Sequence, residues 1–91
     1  MNPKQLMQLK KLQKELSKEV VEVSAGDGAV VIQINGEQKV KSVTIDEAAT
    51  EDIAKLEKWL ESAITQAISK SQQIAADKMK SASADFGNLG F

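Results

Sequence analysis

Residues 29–45 read Ala-Val-Val-Ile-Gln-Ile-Asn-Gly-Glu-Gln-Lys-Val-Lys-Ser-Val-Thr-Ile, and the reading of this run decides the fold. Val30, Ile32 and Ile34 alternate with Val31, Gln33 and Asn35, the period of two that sends apolar side chains to one face of a strand. Asn35-Gly36 follows. It is the strongest short hairpin signal, because both central residues of a type I′ turn need positive φ. In the return strand, Val40 stands out of phase with Val43 and Ile45, which predicts a β-bulge near Lys41-Ser42. A helical pattern lies on each side, so the hairpin reads as a platform.

Upstream, Leu6, Leu9, Leu12 and Leu16 recur at spacings of three and four and form one stripe of a helix from Pro3 to about Glu19. Asn2 suits the N-cap and Pro3 the first helical position, where a missing N–H costs nothing. Lys11–Glu15 and Lys18–Glu22 are spaced for i,i+4 pairing. Val20, Val21 and Val23 then favour a short strand, Val20 to Ser24, since β-branched residues lose χ1 freedom in helices. Ala25-Gly26-Asp27-Gly28 reads as the turn into the hairpin.

Downstream, Thr50 is the expected N-cap of a second helix, with Glu51 and Asp52 in its first turn, where the helix dipole favours acids. Its stripe runs through Ile53, Leu56, Leu60, Ala63, Ile64, Ala67, Ile68, Ile74, Ala75 and Met79 without an interrupting Gly or Pro. A helix of roughly 30 residues is about 45 Å long. A compact 100-residue domain has a radius of gyration near 13 Å, so the helix should overhang it. Cover from a second copy, a homodimer, is the expectation. The fold class is α+β: an α-β-β-β-α protomer whose antiparallel three-stranded sheet is flanked by an N-terminal helix and a long C-terminal one. Residues 1–91 form a single domain, with 82–91 read as a flexible tail.

Composition narrows the function. Aromatic content is 3%, with Trp59 the sole bulky ring before the C-terminal Phe86 and Phe91, so the core must be aliphatic and modest. Histidine and cysteine are absent. That removes imidazole bases, thiolate nucleophiles, disulfides and nearly every zinc or iron site. No cofactor, metal or small-molecule substrate is expected, nor a signal peptide or membrane span. The formal net charge is only −1, yet it is unevenly spread. Residues 1–18 hold five lysines against one acid, residues 46–61 six acids against two lysines, and residues 70–80 three lysines against one acid. All twelve basic residues are lysine.

Few motifs carry chemistry. Gly26-Asp27-Gly28 is followed by a strand, whereas a phosphate loop must open a helix, so it reads as a turn. Asp46, Glu47, Glu51 and Asp52 are accounted for by a helix start, and no basic relay accompanies them. The serines have no base. The chain reads as a non-enzyme. Trp59 reads as core or interface, and the leucine stripe is too short for a coiled-coil seam. Lys10, Lys11, Lys14 and Lys18 share a helix face, and two readings stand: a solvated amphipathic face, or a face that tracks nucleic-acid phosphates. On residues alone the solvated face is the commoner case, and Lys70, Lys78 and Lys80, which make the distal second helix basic as well, weigh against it.

The order of elements and several strings are similar to the YbaB/EbfC family of small bacterial nucleoid-associated proteins. The similarity rests on LMQLKKLQKEL in the first helix, Ala25-Gly26-Asp27-Gly28, Ile34-Asn35-Gly36, the strand VKSVTID from Val40 to Asp46, the acidic helix start, Asp77-Lys78-Met79, and a Gly-containing tail ending in Phe91. Together these span nearly the whole chain. The resemblance implies a cytoplasmic, nucleoid-located homodimer in which sheets and long helices make the interface and projecting helices give a tweezer-like outline. It implies largely architectural binding of double-stranded DNA, carried onto Lys4, Lys10, Lys11, Lys14 and Lys18, and onto Lys70, Lys78 and Lys80. Two positions depart from the family pattern: Thr65-Gln66-Ala67 stands where Asn-Asp-Ala is frequent, and Glu47 where a proline often follows Ile-Asp. Lack of arginine argues against base-specific reading, since arginine is the commonest bidentate reader of guanine. The alternative is a helix-mediated protein-interaction module that does not bind DNA.

Overall fold

A computed structural model describes the backbone of residues 2–87 and the side chains of residues 2–81. Helix α1 spans Pro3–Lys18, strands β1, β2 and β3 span Val20–Ala25, Val30–Asn35 and Val40–Ile45, a 3-10 turn covers Glu47–Glu51, and helix α2 runs Ile53–Gly87. The expected α-β-β-β-α order holds. Asn2 caps α1 as its sequence suggests, its Oδ1 accepting from the Gln5 N–H at 2.8 Å. Gln5 answers with its own Oε1 on the Asn2 N–H, so two otherwise unpaired donors are satisfied together.

The three strands form one antiparallel sheet in the order β1-β2-β3. Across it the partners align as three apolar rows: Val21–Ile34–Val40, Val23–Ile32–Val43 and Ala25–Val30–Ile45. The bulge makes this alignment possible. Gln33 faces Ser42 and Ile34 faces Val40, which leaves Lys41 as the extra residue and brings Val40 onto the face of Val43 and Ile45. The expected phase slip at Lys41-Ser42 is therefore a bulge at Lys41. The other sheet face carries a polar row in which Gln33 donates to Glu22 at 3.4 Å and Ser42 donates to Gln33 at 3.1 Å.

The two turns differ in kind. Gly26, Asp27 and Gly28 take φ of +65°, +55° and +88°, as the glycines suggested. Asn35-Gly36 does not form the expected type I′ turn. The loop is Gly36–Gln38, closed by Asn35 N–H to the Lys39 carbonyl at 3.0 Å, and its positive φ falls on Gln38 at +64°. Tertiary contact overrides the local preference here, because the Gly36 N–H points to the end of α1, 2.9 Å from the Leu16 carbonyl. Gly36 is required for room: a Cβ there would lie 2.9 Å from Leu16 and Ile74 side-chain carbons and 3.1 Å from the Leu16 carbonyl oxygen.

The start of α2 also departs from expectation. Its cap is Asp52, whose Oδ1 accepts from the Lys55 N–H at 3.1 Å, whereas Thr50 donates to the Glu47 carbonyl at 2.7 Å within the 3-10 turn. Helix α2 then lies over β1 and β2. Ala63, Ala67 and Ser71, spaced by four and all buried, let it approach the sheet closely. The core comprises Val23, Ala25, Val30, Ile32, Ile34, Ala63 and Ala67, with Leu56, Trp59 and Leu60 packed against it. Among the described residues neither helix packs on β3 as α2 does on β1 and β2. Val40, Val43 and Ile45 consequently remain 52%, 51% and 40% exposed, although they stand on the apolar face.

Thirty-five residues make α2 about 52 Å long at 1.5 Å per residue. It includes residues 82–87, the first part of the segment expected as a tail; 88–91 lie outside the described residues. The radius of gyration is 17.3 Å and the extents are 58 × 18 × 16 Å. A compact chain of this size would reach only about 12 Å, so the long helix does overhang its domain.

Candidate nucleic-acid interface

Helix α1 has no buried residue. Leu12 and Leu16, at its C-terminal end, are half-buried, while Leu6 and Leu9, nearer the free end, are exposed. The helix is thus an arm held at one end. Around its axis, at about 100° per residue, Lys4, Lys11, Lys18, Lys14 and Lys10 fall within an arc of roughly 120°. The leucine stripe occupies the opposite side. All five lysines are exposed. From Lys4 to Lys18 the rise is about 21 Å.

The α2 lysines are arranged otherwise. Lys70 and Lys80 are exposed, but Lys78 is half-buried, its Nζ 3.5 Å from a Glu19 carboxylate oxygen. Lys78 and Lys80 also sit about 160° apart around the helix, so the three do not share one track. The i,i+4 pairs expected at Lys11–Glu15 and Lys18–Glu22 are not formed among the described residues; Glu22 lies in β1, outside the helix. The structure adds two lysines that sequence reading left out. Lys39, in the β2–β3 turn, and Lys41, at the bulge, are exposed at the sheet end that meets α1. Neither carries a helical periodicity that would have grouped it with the others.

Acidic residues gather at the opposite end of the sheet. Asp46 accepts from the Ala48 N–H at 3.2 Å and donates its own N–H to the Ala29 carbonyl at 2.8 Å, while Asp52 caps α2. These carboxylates satisfy backbone donors. Among the described residues no group of three or more His, Asp or Glu is placed to hold a metal ion, and no helix is long and apolar enough to cross a membrane. Charge is thus segregated along the molecule, with lysines on α1 and the nearby turn and acids around the 3-10 turn.

A family model described as the YbaB/EbfC DNA-binding family matches residues 3–86. A nucleoid-associated protein of Chloroflexus aggregans is 38% identical over 88% of this chain and 90% of its own length. Another from Moorella thermoacetica is 34% identical over 92% of this chain and 83% of its own. The crystal structure of the uncharacterized protein HP0035 from Helicobacter pylori matches with a TM-score of 0.72 over 80% of this chain and 87% of that one. At 18% identity, that match speaks to the fold alone.

Proposed function

This chain belongs to the YbaB/EbfC DNA-binding family, and on that premise we propose that it binds duplex DNA as a homodimer, chiefly through lysine–phosphate contacts. The observation that carries this reading is the arc of five exposed lysines on one face of α1. The relatives' designation as nucleoid-associated proteins supports a nucleoid location and an architectural or regulatory role, without catalysis. Lysine is a compact point charge that does not reproduce the forked geometry arginine uses on guanine, so binding should depend little on sequence.

The dimer is supported by what one chain leaves uncovered: Val40, Val43 and Ile45 on β3, and Ile64 and Ile68 on α2, all at least 40% exposed. Such apolar area on a small domain marks an interaction surface. With two copies, both lysine arms are available to one duplex. If about six phosphates are neutralised, affinity should fall on the order of a thousandfold between 50 and 200 mM salt. Gel-shift titration across that range tests the electrostatic mechanism, and a flat response would overturn it. Sedimentation of the free protein tests the dimer.

One observation favours a second reading. Leu6, Met7 and Leu9 are exposed toward the free end of α1, as in a helix that docks a protein partner. Protein partners retained from nuclease-treated lysate, with no DNA shift at low salt, would favour that adaptor role.

A further inference from the structure

Asn35 and Gly36 suggest a hairpin turn by sequence, yet their bonds reach three separate elements. The Gly36 N–H donates to the Leu16 carbonyl at 2.9 Å and the Glu19 carbonyl at 3.1 Å. Asn35 Nδ2 donates to the Ser17 carbonyl at 3.2 Å. These carbonyls are at the end of α1, where the helix ladder leaves acceptors unpaired. Asn35 Oδ1 accepts from the N–H groups of Glu37 and Lys39 at 2.9 and 3.0 Å, which fixes which way the amide faces. From the other side, Ser71 of α2 donates its Oγ to the Asn35 carbonyl at 2.7 Å. Asn35 is 1% and Ser71 0% exposed. A buried polar junction with all its partners present is costly to disturb, because removing one member strands the others.

The contacts of this junction lie at the one end by which α1 is held. The helix buries no residue of its own, so no deep apolar socket sets its angle. The nearby Lys78–Glu19 pair is about half exposed, a setting in which ion pairs contribute little and are screened by salt. Leverage makes the angle matter. With about 21 Å between Lys4 and Lys18, a 15° swing moves Lys4 by roughly 5 Å, more than one phosphate step along the duplex axis.

We infer that Asn35, with Gly36 and Ser71, is a positioning device that aims the lysine-bearing α1 and so determines how many phosphates one protein covers. This rests on the DNA-binding reading above, and its test separates the two. Asn35→Asp keeps the acceptor for Glu37 and Lys39 but loses the donor to Ser17. Gly28→Ala, which strains the other turn at φ +88° with open space around it, serves as a control for general destabilisation. The salt dependence of DNA affinity is measured for each. In addition, nitroxide labels at Met7→Cys and Lys58→Cys, introduced into this cysteine-free chain, report the α1–α2 distance without DNA.

The expected result is that Asn35→Asp broadens the label distance distribution and lowers the log–log salt slope by about two, while Gly28→Ala changes neither. If Asn35→Asp does not fold, Ser71→Ala, which removes only the hydroxyl donor, decides by the same readings in the same direction. A slope equal to that of the unsubstituted protein, or an unbroadened distribution, overturns the inference. Absence of salt-dependent binding in the unsubstituted protein overturns the DNA-binding reading instead, and with it the phosphate-counting role of the junction.

Discussion

The two ends of the sheet are closed by different physics. At the β1–β2 turn, three successive residues take positive φ, and the Trp59 ring lies so close over Gly26 that an added Cβ would come within 2.5 Å of it. Apolar packing fixes that end, and Asp46 and Asp52 near it cap the 3-10 turn and α2. At the β2–β3 turn, one residue has positive φ and the closure is polar, made by Asn35, Gly36 and Ser71 gripping α1 and α2. The first arrangement seats α2 near its start, at Trp59. The second holds an arm by its end and leaves the lysines free. The difference leaves one small sheet with an apolar-packed, acidic end and a polar-bonded, basic one.

The largest expected effect comes from erasing the charge contrast. Reversing Lys10, Lys11 and Lys14 to glutamate should weaken DNA binding by at least roughly a hundredfold near 0.1 M salt, across all sequences, with the sedimentation behaviour of the free protein unchanged. Gel shifts on unrelated duplexes, alongside sedimentation, check this. Next, Gly26→Ala attacks the packed end through both its φ and the Trp59 contact, and should lower stability by about 2–4 kcal/mol, read as a drop in Tm. The smallest effect should follow Glu47→Lys with Glu51→Lys. These sites lie a strand's length, roughly 20 Å, from the end that holds α1, beyond the screening length of about 8 Å at physiological salt. Affinity should change less than about threefold, and a larger gain would mean that the acidic end also approaches the duplex.

How far the sequence reveals this depends on how local each cause is. The helices, the strands, the α1 cap and the bulge at Lys41 follow from periodicity and near neighbours, and all are readable. The α1 lysine face is readable for the same reason, since one helix groups its residues by angle alone. The turn at Asn35-Gly36 misleads because a distant helix end recruits its N–H. Thr50 misleads as a cap because the 3-10 turn claims its hydroxyl and moves the helix start to Asp52. Ser71 gives no signal whatever: its partner, the Asn35 carbonyl, belongs to another element. Lys78 looked free, and only folding brings Glu19 beside it. The bareness of β3 is equally hidden, since its residues read as apolar core and lack only a covering helix.

The extra residue in β3 has a consequence during the life of the chain before any duplex is met. A strand with half-exposed valines and an open edge invites indiscriminate stacking of one molecule on another, the route to fibrils. At Lys41 two residues face one, so an incoming flat strand finds its ladder out of step, and it must also accommodate a lysine at the break. Only a partner surface shaped for that irregularity can add to the edge without loss of hydrogen bonds. The same bulge that aligns the apolar rows therefore also interrupts the regularity of the open edge.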